Sequence, residues 1–283
     1  MIARPRTVRR EARAKLNVFL RVLGAREDGY HEIESLAVPI TLADVVTVEP
    51  ADALRVEVEG APALAGGLNL ALVAALALAD ACPDADGAQI RIDKRIPVAG
   101  GLGGGSADAA ATLLALNDLW GCGLDLATMA GIGERIGSDV PAMLADAPML
   151  MTGRGEHLAP ASCASYHWVL VSPGLGVRSP DAYRWWDEDG GRTGPDPGPV
   201  LAAAAAGDPV VLGPLLFNDL EASVVARHRE IGEAKARALE AGACGATMSG
   251  SGSSVVGLAR DADHALELAE ATGGTPVAGP APA

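Results

Sequence analysis

The stretch Ile96-Pro97-Val98-Ala99-Gly100-Gly101-Leu102-Gly103-Gly104-Gly105-Ser106 follows an alternating apolar segment, Ala88 to Asp93. It precedes an Ala/Leu-rich helical pattern that runs from Ser106 to about Trp120, with Asp108 in its first turn. Strand, glycine loop and helix start, in that order, bind phosphate, because backbone N–H groups and the positive end of the helix dipole converge on one point. A Walker A loop would close on a Lys-Ser/Thr pair, and none is present. A dinucleotide loop needs a third glycine where Ser106 stands, and an acidic residue ending a second strand about twenty positions on, which does not follow. A flexible linker leaves the helix that starts at once unexplained. What remains is a phosphate cradle of another kind. Glycines without Cβ let the backbone approach a triphosphate, and Ser106 offers a hydroxyl to a phosphate oxygen or Mg²⁺.

Outward from the loop, the N-terminal side is rich in strand signals. Val8, Leu16, Val18, Leu20 and Val22 include a period-two run, and a second run starts at Val45 and continues through Leu54, Val56 and Val58. Asn69 then precedes an Ala/Leu helix ending near Pro83. On the C-terminal side a helix is predicted over Asp125 to Ile136, broken by Gly137-Ser138-Asp139-Val140-Pro141. Asp187 to Pro199, rich in Gly, Pro and Asp, is expected to be a surface loop. Helices are expected at 199–206, 210–216 and 222–241, a strand near 255–259, a last helix over 262–271 and a frayed end.

With 283 residues, 49% of them hydrophobic and 20% charged, the chain has ample material for one large domain or two modest ones. Its formal charge of −14 argues against nucleic acid or an anionic membrane as partner. A small phosphorylated ligand needs only a local positive field and is compatible with that charge. Cys82, Cys122, Cys163 and Cys244 are far apart and show no metal-ligand spacing, so they read as reduced thiols of a cytoplasmic protein. The basic first residues lack an apolar segment after them, and the run Leu68 to Ala79 is short for a bilayer.

The segment P-V-A-G-G-L-G-G-G-S-A-D-A-A resembles the ATP-binding motif of the GHMP kinases, a family named for galactokinase, homoserine kinase, mevalonate kinase and phosphomevalonate kinase. Three further segments are similar to motifs of that family, in the right order: Ala12 to Leu20 (A-R-A-K-L-N-V-F-L), Ile136 to Pro141 (I-G-S-D-V-P) and Thr247 to Val255 (T-M-S-G-S-G-S-S-V). Arg13 stands where proline is usual, Ser138 replaces alanine, and Ala142-Met143 replace an aromatic pair. The resemblance implies a two-lobed α+β fold with ATP and its acceptor in a cleft between the lobes. The expected divisions are an ATP-binding domain over 1–157, a C-terminal domain over 158–271 and a flexible tail over 272–283.

The resemblance also implies roles, each with a plainer alternative beside it. Lys15 matches the family's catalytic lysine, although most lysines are simply solvated, and Asp139 its catalytic aspartate, although aspartate often caps such a turn. Pro97, Val98, Ala99, Gly100, Gly101, Leu102, Gly103, Gly104, Gly105 and Ser106 would hold ATP, with Ser106 also reaching Mg²⁺. Asn69 and Lys94 would line the adenosine pocket, a helix cap and a surface lysine being the alternatives. Asn17 would position the acceptor, and Ser249, Gly250, Ser251 and Gly252 would close over its diphosphate or be only a flexible turn. The Asp28-Gly29-Tyr30-His31 continuation, otherwise an ordinary turn flank, is characteristic of one family member, which serves the non-mevalonate route to isoprenoid precursors. Its acceptor is the 2-hydroxyl of a cytidylyl diphosphate sugar alcohol. Tyr30 would then stack on cytosine and His31 hydrogen-bond to it, with Tyr183 a second aromatic nearby. The expected partner is that small molecule, with neither nucleic acid nor membrane, and the protein a monomer or homodimer.

Overall fold

The computed structural model describes residues 7–66 and 69–281. They form two compact units, one of residues 7–14, 42–66, 69–96 and 103–146, the other of 15–41, 97–102 and 147–281. The chain therefore crosses between the units several times. The long strands β1 (Val8–Ala25) and β2 (His31–Pro50) each contribute residues to both units.

In the first unit, Val45–Pro50 of β2 run antiparallel to β4 (Ala88–Asp93), and β3 (Arg55–Glu59) lies parallel to β4. Helix α1 (Leu70–Ala81), inserted before β4, packs on α2 (Gly104–Trp120), with α3 (Leu126–Ile136) and α4 (Val140–Ala145) following. The alanines explain the α1–α2 contact. Ala71, Ala74 and Ala75 of α1 and Ala107, Ala109, Ala110 and Ala111 of α2 are buried, and small side chains let two helices approach closely. Leu78, Ile90, Ile92, Leu113 and Leu116 fill the remaining volume. Counted from Pro62, the segment to Ala81 reaches 20 residues with the apolarity of a membrane span, more than the sequence reading allowed. Within it α1 is a helix of 12 residues that contributes to this core.

Cys82, at the end of α1, and Cys122, just beyond the end of α2, are joined in a disulfide, with Cα atoms 5.4 Å apart. This corrects the reading of four reduced thiols. The packing of the two helices brings their C-terminal ends together, which a separation of 40 residues conceals in the sequence. Cys163 and Cys244 are free.

In the second unit, Ser35–Ala37 of β2 pair with β5 (Met149–Thr152), which pairs with β6 (His157–Pro160). A separate antiparallel sheet is built from β7 (Tyr166–Val171) and three later strands. Between them come α5 (Ser179–Glu188), α6 (Gly198–Ala206), α7 (Pro209–Leu212), β8 (Phe217–Asn218), α8 (Glu221–Arg227) and α9 (Arg229–Glu240). Then follow β9 (Gly245–Met248), β10 (Val255–Leu258), α10 (Ala262–Thr272) and β11 (Thr275–Gly279). The sheet order is β11-β7-β10-β9. The expected flexible tail is thus, over Thr275–Gly279, a strand paired with β7. Val169, Val171, Val224, Ile231, Val255 and Leu268 form the core beneath. The tiny strand β8 runs parallel to β1, with Phe217 beside Phe19, and so sets Asn218 at the level of Leu20.

Candidate functional site

The glycine stretch divides between the units after Leu102, and each half has its own surroundings. In the first unit, α2 starts at Gly104, two residues earlier than the pattern predicts, so its free N–H groups belong to Gly104, Gly105 and Ser106. Ser106 Oγ lies 3.9 Å from where a Cβ on Gly137 would stand, so the turn that carries Asp139 borders the start of α2. Asp139 occupies the N-cap position of α4, yet its side chain makes no capping hydrogen bond. Arg13, the departure from the proline of the family, pairs with Asp146 at the end of α4 at 2.8 Å.

Both side chains expected at an adenosine pocket are engaged within this unit. Asn69 caps α1, accepting from Ala71 N–H at 2.8 Å and donating to the Leu64 carbonyl at 2.9 Å. Leu70, the next residue, lies against Gly105. The Lys94 ammonium donates to Asp44 at 2.5 Å and to Asp108 at 2.8 Å, and all three side chains are at most 10% exposed. Asp44 also accepts from the N–H groups of Arg95 and Ile96. This ionic cluster ties the end of β4 to the first half of α2, immediately beneath the glycines. Sequence reasoning missed Asp44 altogether and set Asp108 on the first turn, where its role here is internal.

Burial pushes the Asp108 carboxyl up to about 7, with Lys94 pulling against it and Asp44 adding to the rise. Burial alone draws Lys94 down, but the charges and hydrogen bonds of Asp108 and Asp44 carry it above the ordinary lysine range. Between about pH 4 and 7 the folded chain therefore holds the Asp108 proton more tightly than the unfolded chain. The stability this group contributes is present in acid and lost as pH rises through that window. Urea unfolding of wild type and Asp108→Asn at steps from pH 4 to 7 should show the wild type losing stability relative to the variant as pH rises. A constant difference would mean that Asp108 does not titrate there.

In the second unit, the other half of the glycine stretch meets the first and last motifs. Lys15 is 7% exposed, its N–H donates to the Leu102 carbonyl at 3.0 Å, and its ammonium donates to Asn17 Oδ1 at 2.6 Å and the Gly101 carbonyl at 3.3 Å. Asn17 in turn donates to Ser35 Oγ at 2.6 Å, and its backbone N–H to Ser249 Oγ. Ser249 Oγ donates to the Gly101 carbonyl, and a Cβ on Gly250 would stand 2.7 Å from that same oxygen and 3.3 Å from Lys15 Nζ. Lys15, Asn17, Gly101, Ser249 and Gly250 thus form one polar knot, and Lys15 is not a solvated lysine. Ser251 sits outside it, its hydroxyl 3.0 Å from that of Ser179.

The knot has a support that the sequence reading did not single out. Asn218 Nδ2 donates to the Met248 and Gly250 carbonyls, both at 2.7 Å, and Oδ1 accepts from Leu220 N–H. Glu221 accepts from Met248 N–H at 2.8 Å. The spacing of Asn218 and Glu221 is that of a capping box, and the two side chains instead brace the start of the serine-glycine segment.

A third group of the second unit surrounds His31. Its ring stacks on Tyr183 (4.8 Å between centroids, 24° between planes), meets Trp186 edge-on at 5.8 Å, and places Nε2 3.0 Å from Asp187. Asp187 belongs to α5 and not to a loop. Tyr30 is 50% exposed, with the Arg154 guanidinium 4.9 Å above one face. An exposed phenol with one face covered suits a flat heterocycle.

Comparison with known proteins places these features. The model of the GHMP kinases N-terminal domain matches residues 69–153, and that of the GHMP kinases C-terminal domain matches residues 200–273. The chain is 43% identical over 265 residues to the 4-diphosphocytidyl-2-C-methyl-D-erythritol kinase of Symbiobacterium thermophilum, covering 92% of this chain and 93% of that one. It is 42% identical over 263 residues to the enzyme of the same name from Mycobacterium tuberculosis, covering 90% of this chain and 82% of that one. Among solved structures, a 4-(cytidine 5'-diphospho)-2C-methyl-D-erythritol kinase matches with a TM-score of 0.81 and 38% identity over 96% of this chain and 98% of that one. Mevalonate kinase of L. major, at 16% identity and a TM-score of 0.72 over 98% of this chain and 97% of that one, shares the fold.

Proposed function

The chain belongs to the GHMP kinase family, and from that premise we propose that it transfers the γ-phosphoryl group of ATP to the 2-hydroxyl of 4-diphosphocytidyl-2-C-methyl-D-erythritol, a step of the non-mevalonate route to isoprenoid precursors. The observation that carries the choice of acceptor is His31 stacked on Tyr183, with the half-exposed Tyr30 preceding it in the chain, beside which the names of the relatives stand as support. ATP is held through the N–H groups at the start of α2 and the glycines before it. The acceptor lies along Asn17 and Ser249 to Gly252, with its base at Tyr30 and His31.

Phosphoryl transfer has a loose transition state, so alignment and neutralisation of charge on the moving group supply most of the acceleration. Lys15, buried and fixed by Asn17 and the Gly101 carbonyl, provides a positive charge at a set point. Asp139 takes the proton of the attacking hydroxyl. Among the described residues no group of three or more His, Cys, Asp or Glu is placed to hold a metal. Ser106 would offer its hydroxyl to a magnesium ion carried by the nucleotide, which would neutralise phosphate charge. Soluble polyphosphate reactants support a cytoplasmic setting, in which reductants would act on the Cys82–Cys122 bond.

Release of ADP, followed by a coupled assay, should depend on the cytidylyl acceptor. Turnover of mevalonate or homoserine in its place would overturn the acceptor and leave the family standing. In the same assay, Tyr30→Ala should raise KM for the acceptor roughly tenfold, the loss of one stacking partner, with KM for ATP little changed. A rise confined to ATP would mean that the two nucleotide sites have been interchanged.

A further inference from the structure

We propose that Asp187 is a specificity-determining residue that acts through His31. It holds the imidazole as the Nε2–H tautomer, so that Nδ1 accepts a hydrogen bond from the exocyclic amino group of cytosine and disfavours uracil. The inference rests on the cytidylyl reading of the acceptor and extends it to how the base is chosen.

His31 opens β2 directly after the Asp28-to-Tyr30 turn, and its side chain is 9% exposed. Tyr183, Trp186 and Asp187 follow one another on α5 at the three- and four-residue spacing that puts side chains on one helix face. All three touch the same imidazole: Tyr183 lies on its plane, Trp186 at its edge, and both Asp187 oxygens lie 3.0 and 3.1 Å from Nε2. Two aromatic rings thus set the plane of the imidazole, and the carboxylate selects which nitrogen of the neutral ring carries its proton. A carboxylate only accepts, so this contact requires the proton of the neutral ring on Nε2 and leaves Nδ1 with a lone pair. Among the described residues no group is hydrogen-bonded to Nδ1.

That lone pair distinguishes the two pyrimidines. Cytosine carries an amino donor at position 4, where uracil carries a carbonyl acceptor. An acceptor opposed to an acceptor leaves two polar atoms unpaired at a largely desolvated site, which is costly for binding. Asp187 itself is 46% exposed. A hydrogen bond so open to water adds little to stability, and its effect falls on the orientation and tautomer of His31.

The test is titration of the full chain with CMP and with UMP by calorimetry, in wild type, Asp187→Asn and Asp187→Glu. The His31 tautomer is read in parallel from long-range ¹H–¹⁵N spectra, its signals assigned by their loss in His31→Gln. Wild type should bind CMP tighter than UMP by roughly tenfold or more and show a protonated Nε2. Asp187→Asn should bring the ratio close to one, because a carboxamide pairs with either tautomer, and Asp187→Glu should restore it. Undiminished preference in Asp187→Asn, or a wild-type ring protonated on Nδ1 alone, would overturn the inference while the cytidylyl reading stood. A wild type that binds neither nucleotide would overturn both.

Discussion

Asp139→Asn is expected to lower kcat by a factor of roughly 10² to 10⁴, the usual contribution of a positioned base, while ATP binds about as well as to wild type. The substitution keeps size and shape, so the turn from Gly137 to Pro141 has no steric reason to move. Nor does α4 depend on the carboxylate as a cap, since the side chain makes no capping hydrogen bond. Gly133, packed beneath Val140, anchors the other side of this turn, as a Cβ there would stand 2.8 Å from Val140 Cγ1. What the variant removes is the negative charge proposed to take a proton beside the start of α2. Coupled ADP release measures kcat, and calorimetric titration with a non-hydrolysable ATP analogue measures binding. An unaltered kcat would remove Asp139 from the chemistry, and a loss of ATP affinity equal to the loss of rate would make it a nucleotide-binding residue instead.

The parts of this site that were legible from sequence are those in which the backbone itself performs the task. Glycines clustered before a helix announce a close approach of main chain to ligand, and α2 begins within two residues of the place expected. The side chains that hold the backbone in position were harder to read. Asp44 lies in β2, between the buried Ala43 and Val45, where alternation fails because both faces are covered. The same burial on both faces hid the start of β2, since Leu36 to Ile40 form one continuous buried run. Asn218 looks like the first residue of a capping box, and only its parallel register beside Leu20 reveals that it serves Met248 and Gly250. The disulfide and β11 were missed for a related reason: each depends on a partner far away in the chain, Cys122 for Cys82 and β7 for β11. Local pattern reports what a segment favours, while these features are decided by what it meets.

Gly101→Ala should bring the largest loss from a change of one methyl group, with kcat/KM for both substrates falling by at least about a hundredfold. Two costs combine. The residue has φ of +75°, a conformation that costs an alanine roughly 1 to 2 kcal/mol. A Cβ there would also overlap the Ser249 carbonyl oxygen and stand 2.9 Å from Gly252 N, and those atoms are backbone and cannot turn aside. Relief requires that the glycine stretch separate from the serine-glycine segment. The Gly101 carbonyl accepts from both Lys15 and Ser249, so separation also releases the ammonium from its set point. With a barrier governed by alignment, a displacement of about 1 Å is enough for a hundredfold loss. Gly131→Ala, in α3 and away from the glycine stretch, is the control, since a Cβ there meets nothing within 4 Å. Steady-state kinetics on the two variants, with circular dichroism to confirm that both fold, separates close approach from glycine content. Equal activity in Gly101→Ala and wild type would show that the junction of the two segments plays no part in catalysis.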